Sequence, residues 1–364
     1  MALTNLSLFG GAFFTPVIVG KMTNTLGWQW TFYFIAIFTA LMLPLVILFV
    51  PETAFVRDAR LNTDTTTEDD INEKNLESPS PPLTPSQPPP KLISKANMMP
   101  FNGRKTDESF WKLLLRPFPL FFHPSIFWAC LIQGALIGWT VLIGVVLAAI
   151  MIGPPLLFNE VKTGYMYTGA FIGAILGFVL SGLLADSVPK YMTKKNGGVY
   201  EPEFRLPLVV PQLVLGCAGL YGFGITANDT YTYGWFWPDF FFALEVMGMV
   251  LGAVASALYI VDAHRDIAVE AFTCMLIFKN IFSFGLTWSG FGWLEHSGKE
   301  GVKNVFVAIS SVQVVICCTT ILLCEFIFVN ERPNCILTMP ADVFGKKNRS
   351  FFTRHDILTI CHLR

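Results

Sequence analysis

Long apolar runs follow one another along most of the chain, separated by short polar breaks, and they have the length of membrane-spanning helices. A helix needs about 20 predominantly apolar residues to cross the hydrocarbon core of a bilayer. We predict eight such helices, over Leu3–Gly20, Trp30–Val50, Ser125–Ile150, Gly164–Leu184, Pro207–Ala227, Phe236–Val261, Ala271–Trp293 and Val305–Val329. The first run is diluted by polar residues, glycines and a proline, which a helix tolerates inside a bundle. The pattern indicates an all-α integral membrane protein.

A polar segment interrupts these runs between the second and third predicted helices. Residues 51–124 hold nine Lys or Arg and ten Asp or Glu, which is 19 of the 51 charged residues, and they include a Pro/Ser tract over Ser78–Lys91. Such a composition buries too little apolar surface to fold. We therefore predict a disordered cytoplasmic loop, with an amphipathic segment at Phe110–Phe122 on the membrane surface.

Lys and Arg are distributed unevenly between the two sides that the predicted helices define. If the loop 51–124 lies in the cytoplasm, 19 Lys and Arg fall on that side and four fall outside, as the positive-inside rule requires. Both termini are then cytoplasmic. The sequon Asn228-Asp229-Thr230 falls outside, which makes Asn228 a candidate glycosylation site. We expect a plasma-membrane protein, with a vacuolar or other endomembrane as the alternative.

Composition excludes several classes of protein. Only 14% of the residues are charged, against about 25% in soluble domains, and the mean hydropathy is +0.54. The net charge of −1 offers no basic face for nucleic acid. The eight Cys contain no C-x-x-C pair and no zinc-ligand spacing with the five His, so no metal or cofactor is predicted. The sequence also lacks the common hydrolase and phosphate-binding motifs, and we do not expect an enzyme.

Two charged residues fall inside predicted helices, where their burial is costly and their presence indicates function. Glu245 lies nine residues into its run, about 14 Å deep, and Lys279 lies eight residues into the next run from the opposite face, followed by Asn280. We expect Glu245 and Lys279 to face a water-filled cavity, where Glu245 binds a cationic substrate or a proton and Lys279 is its alternating partner. The alternatives are a fixed structural pair, or a Lys279 that snorkels toward the cytoplasm.

Further polar and aromatic residues are candidates for the wall of a substrate cavity, because aromatic faces attract organic cations. These candidates are Gln133, Trp139, Tyr165, Tyr167 and Trp288. The alternative for the aromatic residues is the interfacial belt of a membrane protein.

The segment Gly182–Asp186 reads Gly-Leu-Leu-Ala-Asp, and three lysines follow it: Lys190, Lys194 and Lys195. Asp186 at a helix end is able to accept hydrogen bonds from the N-terminus of a neighbouring helix, where the dipole favours an anion. We interpret these residues as a conformational latch that breaks and reforms as a carrier rocks. The alternative is a charged loop that obeys the positive-inside rule.

Five segments together resemble the major facilitator superfamily, in particular its fungal drug:proton antiporter-like branch. They are Gly182–Asp186 with its trailing lysines, Gly27–Tyr33, Pro51–Thr53, Tyr200–Leu206 and Phe344–Phe352. The resemblance covers nearly the whole chain apart from the loop 51–124. It implies alternating-access transport of a small organic solute in exchange for a proton, by a monomer of two six-helix bundles that hold the substrate near the midplane.

Under this resemblance the chain is a partial major facilitator fold. Residues 1–50 resemble the fifth and sixth helices of the N-terminal bundle, 125–343 resemble the six-helix C-terminal bundle, and 344–364 form a cytoplasmic tail. The resemblance implies a cavity lined by the helices that carry Gln133, Tyr165, Glu245 and Asn280. Since the first four helices of the family have no counterpart in the chain, the alternative is a truncated, transport-incompetent membrane protein with at most a binding or scaffolding role.

The fifth-helix signature of the antiporters is degenerate in this chain. Gly11, Pro16 and Gly20 remain, whereas Thr15 and Val19 stand where the family has Gly. Because those glycines permit close packing and a kink, the departure argues against drug antiport specifically.

Overall fold

The computed structural model describes residues 6–49, 109–198, 200–296 and 300–330. Within these ranges every regular element is a helix, and seven stretches have the length and hydropathy to cross a membrane. The prediction of an all-α, multi-pass integral membrane protein is confirmed.

The helices are named here in chain order. They are α1 (Gly11–Leu26), α2 (Gln29–Phe49), α3 (Phe110–Leu115), α4 (Pro124–Ile152), α5 (Glu160–Tyr165), α6 (Tyr167–Lys195), α7 (Val209–Asn228), α8 (Thr230–Tyr233), α9 (Phe236–Ala263), α10 (Ala268–His296) and α11 (Gly301–Asn330). A π-helical turn, Leu6–Gly10, precedes α1, and 3₁₀ turns cover Phe118–Phe122, Pro202–Leu208 and Arg265–Ile267.

Seven of the eight predicted apolar runs coincide with these membrane-length helices, and the first coincides with α1, which has 16 residues and is not among the seven. The helices extend beyond the runs: α6 continues to Lys195, whereas its apolar run ends at Leu184. The reason is that backbone hydrogen bonding carries a helix on into polar sequence, while the apolar run marks only the stretch that meets lipid or core. Two short helical segments, α3 and Phe118–Phe122, occupy the region of the predicted amphipathic segment. The rest of the predicted loop and the tail lie outside the described residues.

Helix α9 is the central helix of the bundle. It packs against α6 and α7, and α4 contacts it on a further face. Close approach depends on glycine at two crossings: a Cβ at Gly173 would lie 2.3 Å from the carbonyl oxygen of Ala243, and a Cβ at Gly219 would lie 2.7 Å from the Cβ of Glu245. Small residues therefore bring the backbones of α6 and α7 directly onto α9.

Helix α4 lies between α9 and α10. Gly134 and Gly138 on one side of α4 accept the rings of Phe278 and Phe282 from α10, while Thr140 on another side contacts α9. Consecutive helices α9 and α10 contact each other much less than each contacts α4. Order along the chain is therefore not order in space within this bundle.

Of helices α1 and α2, α1 packs on the bundle, against α5 and α6. Gly20 of α1 crosses Gly164 of α5 so closely that a Cβ at Gly20 would lie 2.7 Å from the carbonyl oxygen of Glu160. Among the described helices α2 packs on α1, and its apolar side chains are otherwise exposed. The signature residue Gly20 thus forms a close helix crossing, whereas Gly11 has open space around it.

The two ends of the bundle differ in charge. The end formed by the carboxyl ends of α6 and α9 and the amino ends of α4, α7 and α10 carries Lys190, Lys194, Lys195 and Arg205, and it is called the basic end below. At the opposite end, α7 meets the first turn of α11 and α9 begins beside the first turn of α6.

Candidate functional site

Glu245 lies in the middle of the bundle with no solvent exposure. Its position, nine residues from the start of α9, is about 14 Å along the helix axis. The Oε1 atom lies 2.6 Å from the hydroxyl oxygen of Thr140 on α4. The Oε2 atom is buried and has no hydrogen-bond partner among the described residues. The side chain is thus an isolated carboxyl group inside an apolar core.

Lys279 does not pair with Glu245. Gly134 of α4 packs against the backbone of Lys279, whereas Thr140 of α4 reaches Glu245, so that α4 separates the two charged side chains. The described side chains form the ion pairs Arg116–Glu270, Arg205–Asp262 and Lys303–Glu300. The predicted pairing assumes that the consecutive helices α9 and α10 are neighbours, and the apolar pattern contains no sign that α4 lies between them.

The other predicted cavity residues fall into two groups. Asn280, Tyr165 and Trp288 have exposed side chains. Gln133 is half-buried, and its Oε1 has no hydrogen-bond partner in the described part of the chain. The first three side chains are thus exposed, whereas the unpaired amide oxygen of Gln133 is buried.

Trp139 and Tyr167 have internal partners instead. Trp139 is buried, donates from Nε1 to Oε1 of Gln313 at 3.1 Å, and meets the ring of Phe282 edge to face at 4.9 Å. The Tyr167 hydroxyl donates to the carbonyl oxygen of Gly144 at 2.5 Å. Both contacts join helices, Trp139 linking α4 to α10 and α11 and Tyr167 linking α6 to α4. In this conformation the two side chains hold the bundle together.

A polar network joins three elements at the basic end. Arg205 donates from Nε to Oδ2 of Asp262 at 2.9 Å, and Tyr200 donates its hydroxyl to the same oxygen at 2.5 Å. Arg205 also donates from Nη1 to the carbonyl oxygen of Ala185. Burial and the bond to Asp262 raise the pKa of Tyr200 to about 12, so this phenol keeps its proton. The sequence did not predict this network. Its one available signal is that Tyr200, Arg205 and Asp262 all lie close to the predicted cytoplasmic ends of helices.

The predicted latch residues line a pocket next to this network. The pocket has a volume of about 430 Å³, and its wall includes Asp186, Lys190, Lys194, Tyr200 and Arg205. The Asp186 and lysine side chains are exposed. Arg205 holds the α6 backbone one residue before Asp186 and thereby positions the latch segment.

Two further predicted latch residues lie outside the wall of the pocket. Lys195 is exposed at the last residue of α6, and Gly182 has open space around its Cα. A Cβ at position 182 would have nothing within 4 Å, so the described packing leaves room for one there.

Two histidines meet at the basic end. His123 precedes α4, His264 follows α9, and their rings contact each other edge to face at 4.9 Å. Nδ1 of His123 and Nε2 of His264 are buried and lack hydrogen-bond partners among the described residues. Burial, with a smaller effect from His123, lowers the pKa of His264 to about 4. Burial also lowers the pKa of His123, so burial favours the neutral form of both rings.

Polar residues at the opposite end also have interhelical roles that the sequence did not predict. The Asn228 side chain accepts a hydrogen bond from the Lys303 backbone N–H at 3.3 Å and joins α7 to α11. The carboxyl group of Asp239 lies against Gly169 in the first turn of α6, where a Cβ would approach it to 2.4 Å. Among the described residues, no three His, Cys, Asp or Glu side chains form a group that could hold a metal ion.

Comparison with known proteins gives one family and several fungal relatives. A family model described as Major Facilitator Superfamily matches residues 1–292. Protein HOL1 of Saccharomyces cerevisiae is 30% identical over 163 residues, which cover 44% of this chain and 26% of that protein. An uncharacterized MFS-type transporter of Schizosaccharomyces pombe is 22% identical over 343 residues, 81% of this chain and 57% of that protein.

A third relative, MFS-type transporter penM of Penicillium rubens, is 27% identical over 180 residues, which cover 49% of this chain and 35% of that protein. The chain thus spans about half, or less, of the length of these curated relatives. No solved structure matches the chain.

Proposed function

Because the chain belongs to the Major Facilitator Superfamily, we propose that it is a secondary active transporter that moves a small organic solute by alternating access, coupled to protons. The family and the names of its relatives are those of transporters and not of enzymes. The geometry of the bundle supports three finer parts of the proposal. These are the coupling to protons, the residue that binds the proton and the orientation of the chain in the membrane.

The observation that carries proton coupling is the environment of Glu245. Its carboxyl group is fully buried, makes one hydrogen bond, and has no cation beside it in the described structure. A carboxylate in such surroundings is costly, whereas a neutral carboxylic acid is tolerated. Glu245 therefore binds a proton when the bundle has this conformation, and it releases the proton when a conformational change admits water.

The proposed solute pathway runs along the faces of α4 and α10 that present polar groups. Gln133 has a buried amide oxygen without a partner in the described structure, and Asn280 is exposed one residue after the half-buried Lys279. Tyr165 offers an exposed aromatic face at the opposite end. Amide groups, an ammonium group and an aromatic ring suit a polar organic solute with an apolar body.

The proposed orientation puts the basic end in the cytoplasm. Lys190, Lys194, Lys195 and Arg205 lie at that end, and the positive-inside rule places such residues on the cytoplasmic side. The pocket lined by Asp186 and its neighbours is then the cytoplasmic latch, which closes when the other half of the carrier contacts it. We propose the plasma membrane as the site of action.

The test is proton-driven transport by the full chain in proteoliposomes, with ethidium and rhodamine 6G as fluorescent organic cations. An imposed pH gradient drives dye movement in the wild type, and Glu245→Gln abolishes that movement without lowering the amount of protein in the membrane. Glu300→Gln is the matched control, because Glu300 is an exposed carboxylate paired with Lys303. Undiminished pH-driven movement in Glu245→Gln contradicts the site. No movement with any variant favours the transport-incompetent alternative.

A further inference from the structure

Thr140 is the hydrogen-bond partner of Glu245. Its hydroxyl group has one proton to donate, but two oxygen atoms lie within hydrogen-bond distance of it. The oxygen lies 2.6 Å from Oε1 of Glu245 and 2.9 Å from the carbonyl oxygen of Leu136, one turn earlier on α4. The sulfur of Met249 is 3.2 Å away. A threonine hydroxyl donates one proton and accepts through its lone pairs. It is therefore unable to donate to Glu245 and to Leu136 at the same time.

A neutral Glu245 resolves this conflict. Its Oε1–H donates to the hydroxyl oxygen of Thr140, and Thr140 then donates its own proton to the carbonyl oxygen of Leu136. Both short contacts are satisfied, and no charge is buried. An ionised Glu245 only accepts hydrogen bonds, so Thr140 would have to donate its hydroxyl proton to the carboxylate. The Leu136 carbonyl would then lose its bond from Thr140.

The surroundings contain little else that responds to the charge of Glu245. Helices α4 and α7, which flank it, carry no Asp, Glu, Lys or Arg. Titratable or charged side chains on the packed helices include Cys130 on α4, Tyr167 on α6, Cys217 and Tyr221 on α7, Asp239 and Tyr259 on α9, Cys274 and Lys279 on α10 and Cys317 on α11. Of these, Tyr167 donates to a backbone carbonyl, and Lys279 lies behind α4.

We propose that Thr140 is a positioning residue whose hydroxyl group reports the protonation state of Glu245 to the backbone of α4. With Glu245 neutral, the hydroxyl bonds back to Leu136. When Glu245 gives its proton to water, the hydroxyl turns, donates to the carboxylate and releases the Leu136 carbonyl. The threonine keeps its own proton throughout. This inference rests on the proposed role of Glu245 as the proton site.

The consequence for the bundle follows from the position of α4. A back-bond from Thr to the carbonyl four residues earlier bends a helix slightly, and its loss relaxes that bend. Gly134 and Gly138 lie on either side of Leu136 in sequence, and both press against phenylalanine rings of α10, which a Cβ would approach to 2.4 Å and 2.5 Å. A change in the bend of α4 is therefore passed to α10, the helix that carries Lys279 and Asn280.

The experiment is a pH titration of the carboxylic C=O stretch by infrared difference spectroscopy on the purified full chain, which needs no transported solute. Loss of a band in Glu245→Gln assigns that band to Glu245. In Thr140→Val the assigned band moves to higher frequency, because one hydrogen bond is missing. Its titration midpoint also moves to more alkaline pH by about one unit, a tenfold effect, because the carboxylate loses a charge-assisted donor. Thr140→Ser restores both properties.

Thr226→Val is the matched control. Thr226 is also buried and bonds back to a carbonyl four residues earlier, that of Gly222 at 2.7 Å, but it does not contact Glu245. This variant leaves the band unchanged. If the band belongs to Glu245 and Thr140→Val leaves its frequency and midpoint unchanged, the role of Thr140 is refuted. If no band disappears in Glu245→Gln, the proton site itself is refuted. Elution of each variant as a monodisperse peak in size-exclusion chromatography confirms that it is folded.

Discussion

Acidification lowers the contribution that His264, at the basic end, makes to the free energy of unfolding. Burial lowers the pKa of His264 from 6.5 to about 4 in the folded chain, and the neighbouring His123 adds to this effect. In the unfolded chain the pKa returns to about 6.5. Between these values the unfolded chain binds a proton that the folded chain does not bind. The contribution of His264 to the free energy of unfolding is therefore complete above pH 6.5 and is lost as the pH falls toward 4.

The size of the loss follows from the two pKa values of His264. The contribution of His264 to the free energy of unfolding falls by about 1.3 kcal/mol between pH 7.5 and 5.5, and by about 2.5 kcal/mol between pH 7.5 and 4.5. Other groups that titrate in this range contribute to the wild type and to a variant that lacks the histidine alike. The difference between the wild type and His264→Phe therefore isolates the contribution of His264. Burial also lowers the pKa of His123, which adds to the loss in the same direction.

The assay is thermal unfolding of the purified full chain in detergent, followed by tryptophan fluorescence, at several pH values between 7.5 and 5.5. Between pH 7.5 and 5.5 the melting temperature of the wild type decreases relative to that of His264→Phe, because phenylalanine retains the ring packing and binds no proton. Tyr191→Phe, an exposed substitution at the same end, keeps the wild-type dependence. Parallel curves for the wild type and His264→Phe would refute the reasoning.

Two further predictions concern packing inside the bundle. Trp139→Phe leaves the buried Oε1 of Gln313 without its donor and lowers the free energy of unfolding by about 1–3 kcal/mol, measured by denaturant titration in detergent; an unchanged midpoint would show that another donor replaces it. Gly173→Ala forces a Cβ against the carbonyl oxygen of Ala243 and costs about 1–3 kcal/mol, whereas Gly285→Ala, with nothing within 4 Å, serves as its control. Equal melting temperatures for the two alanine variants would contradict the close crossing of α6 and α9.

The apolar pattern alone was sufficient to predict the membrane fold and the depth of Glu245 along its helix. Seven of the eight predicted spans are membrane-length helices, because the thickness of the hydrocarbon core sets the length of an apolar run and the backbone has to satisfy its hydrogen bonds within the helix. Position 245 fixes how deep the carboxyl group lies along its helix, but the surroundings differ from the predicted water-filled cavity, because neighbouring helices bury the side chain completely. The predictions that depend on one helix at a time are therefore readable from the sequence.

The partners of each polar side chain were decided by the tertiary structure. Glu245 faces Thr140 and not Lys279, because the glycines of α4 let α10 pack on the far side of that helix. His123 and His264 are separated by 141 positions in the numbering and still meet ring to ring. Such contacts depend on the arrangement of the helices around α9, which the apolar runs do not encode.

There is a physical reason why the sequence determines the membrane-spanning segments and the tertiary structure decides the contacts between them. Transfer of a helix from water into lipid depends on its own side chains, summed along its length, so the sequence by itself determines which segments span the membrane. Packing between helices in lipid has no comparable hydrophobic driving force, and it depends on close contacts at a few small residues and on hydrogen bonds across helices. Those contacts arise only once several helices are in place, and they decided that Glu245 is an isolated acid bonded to Thr140.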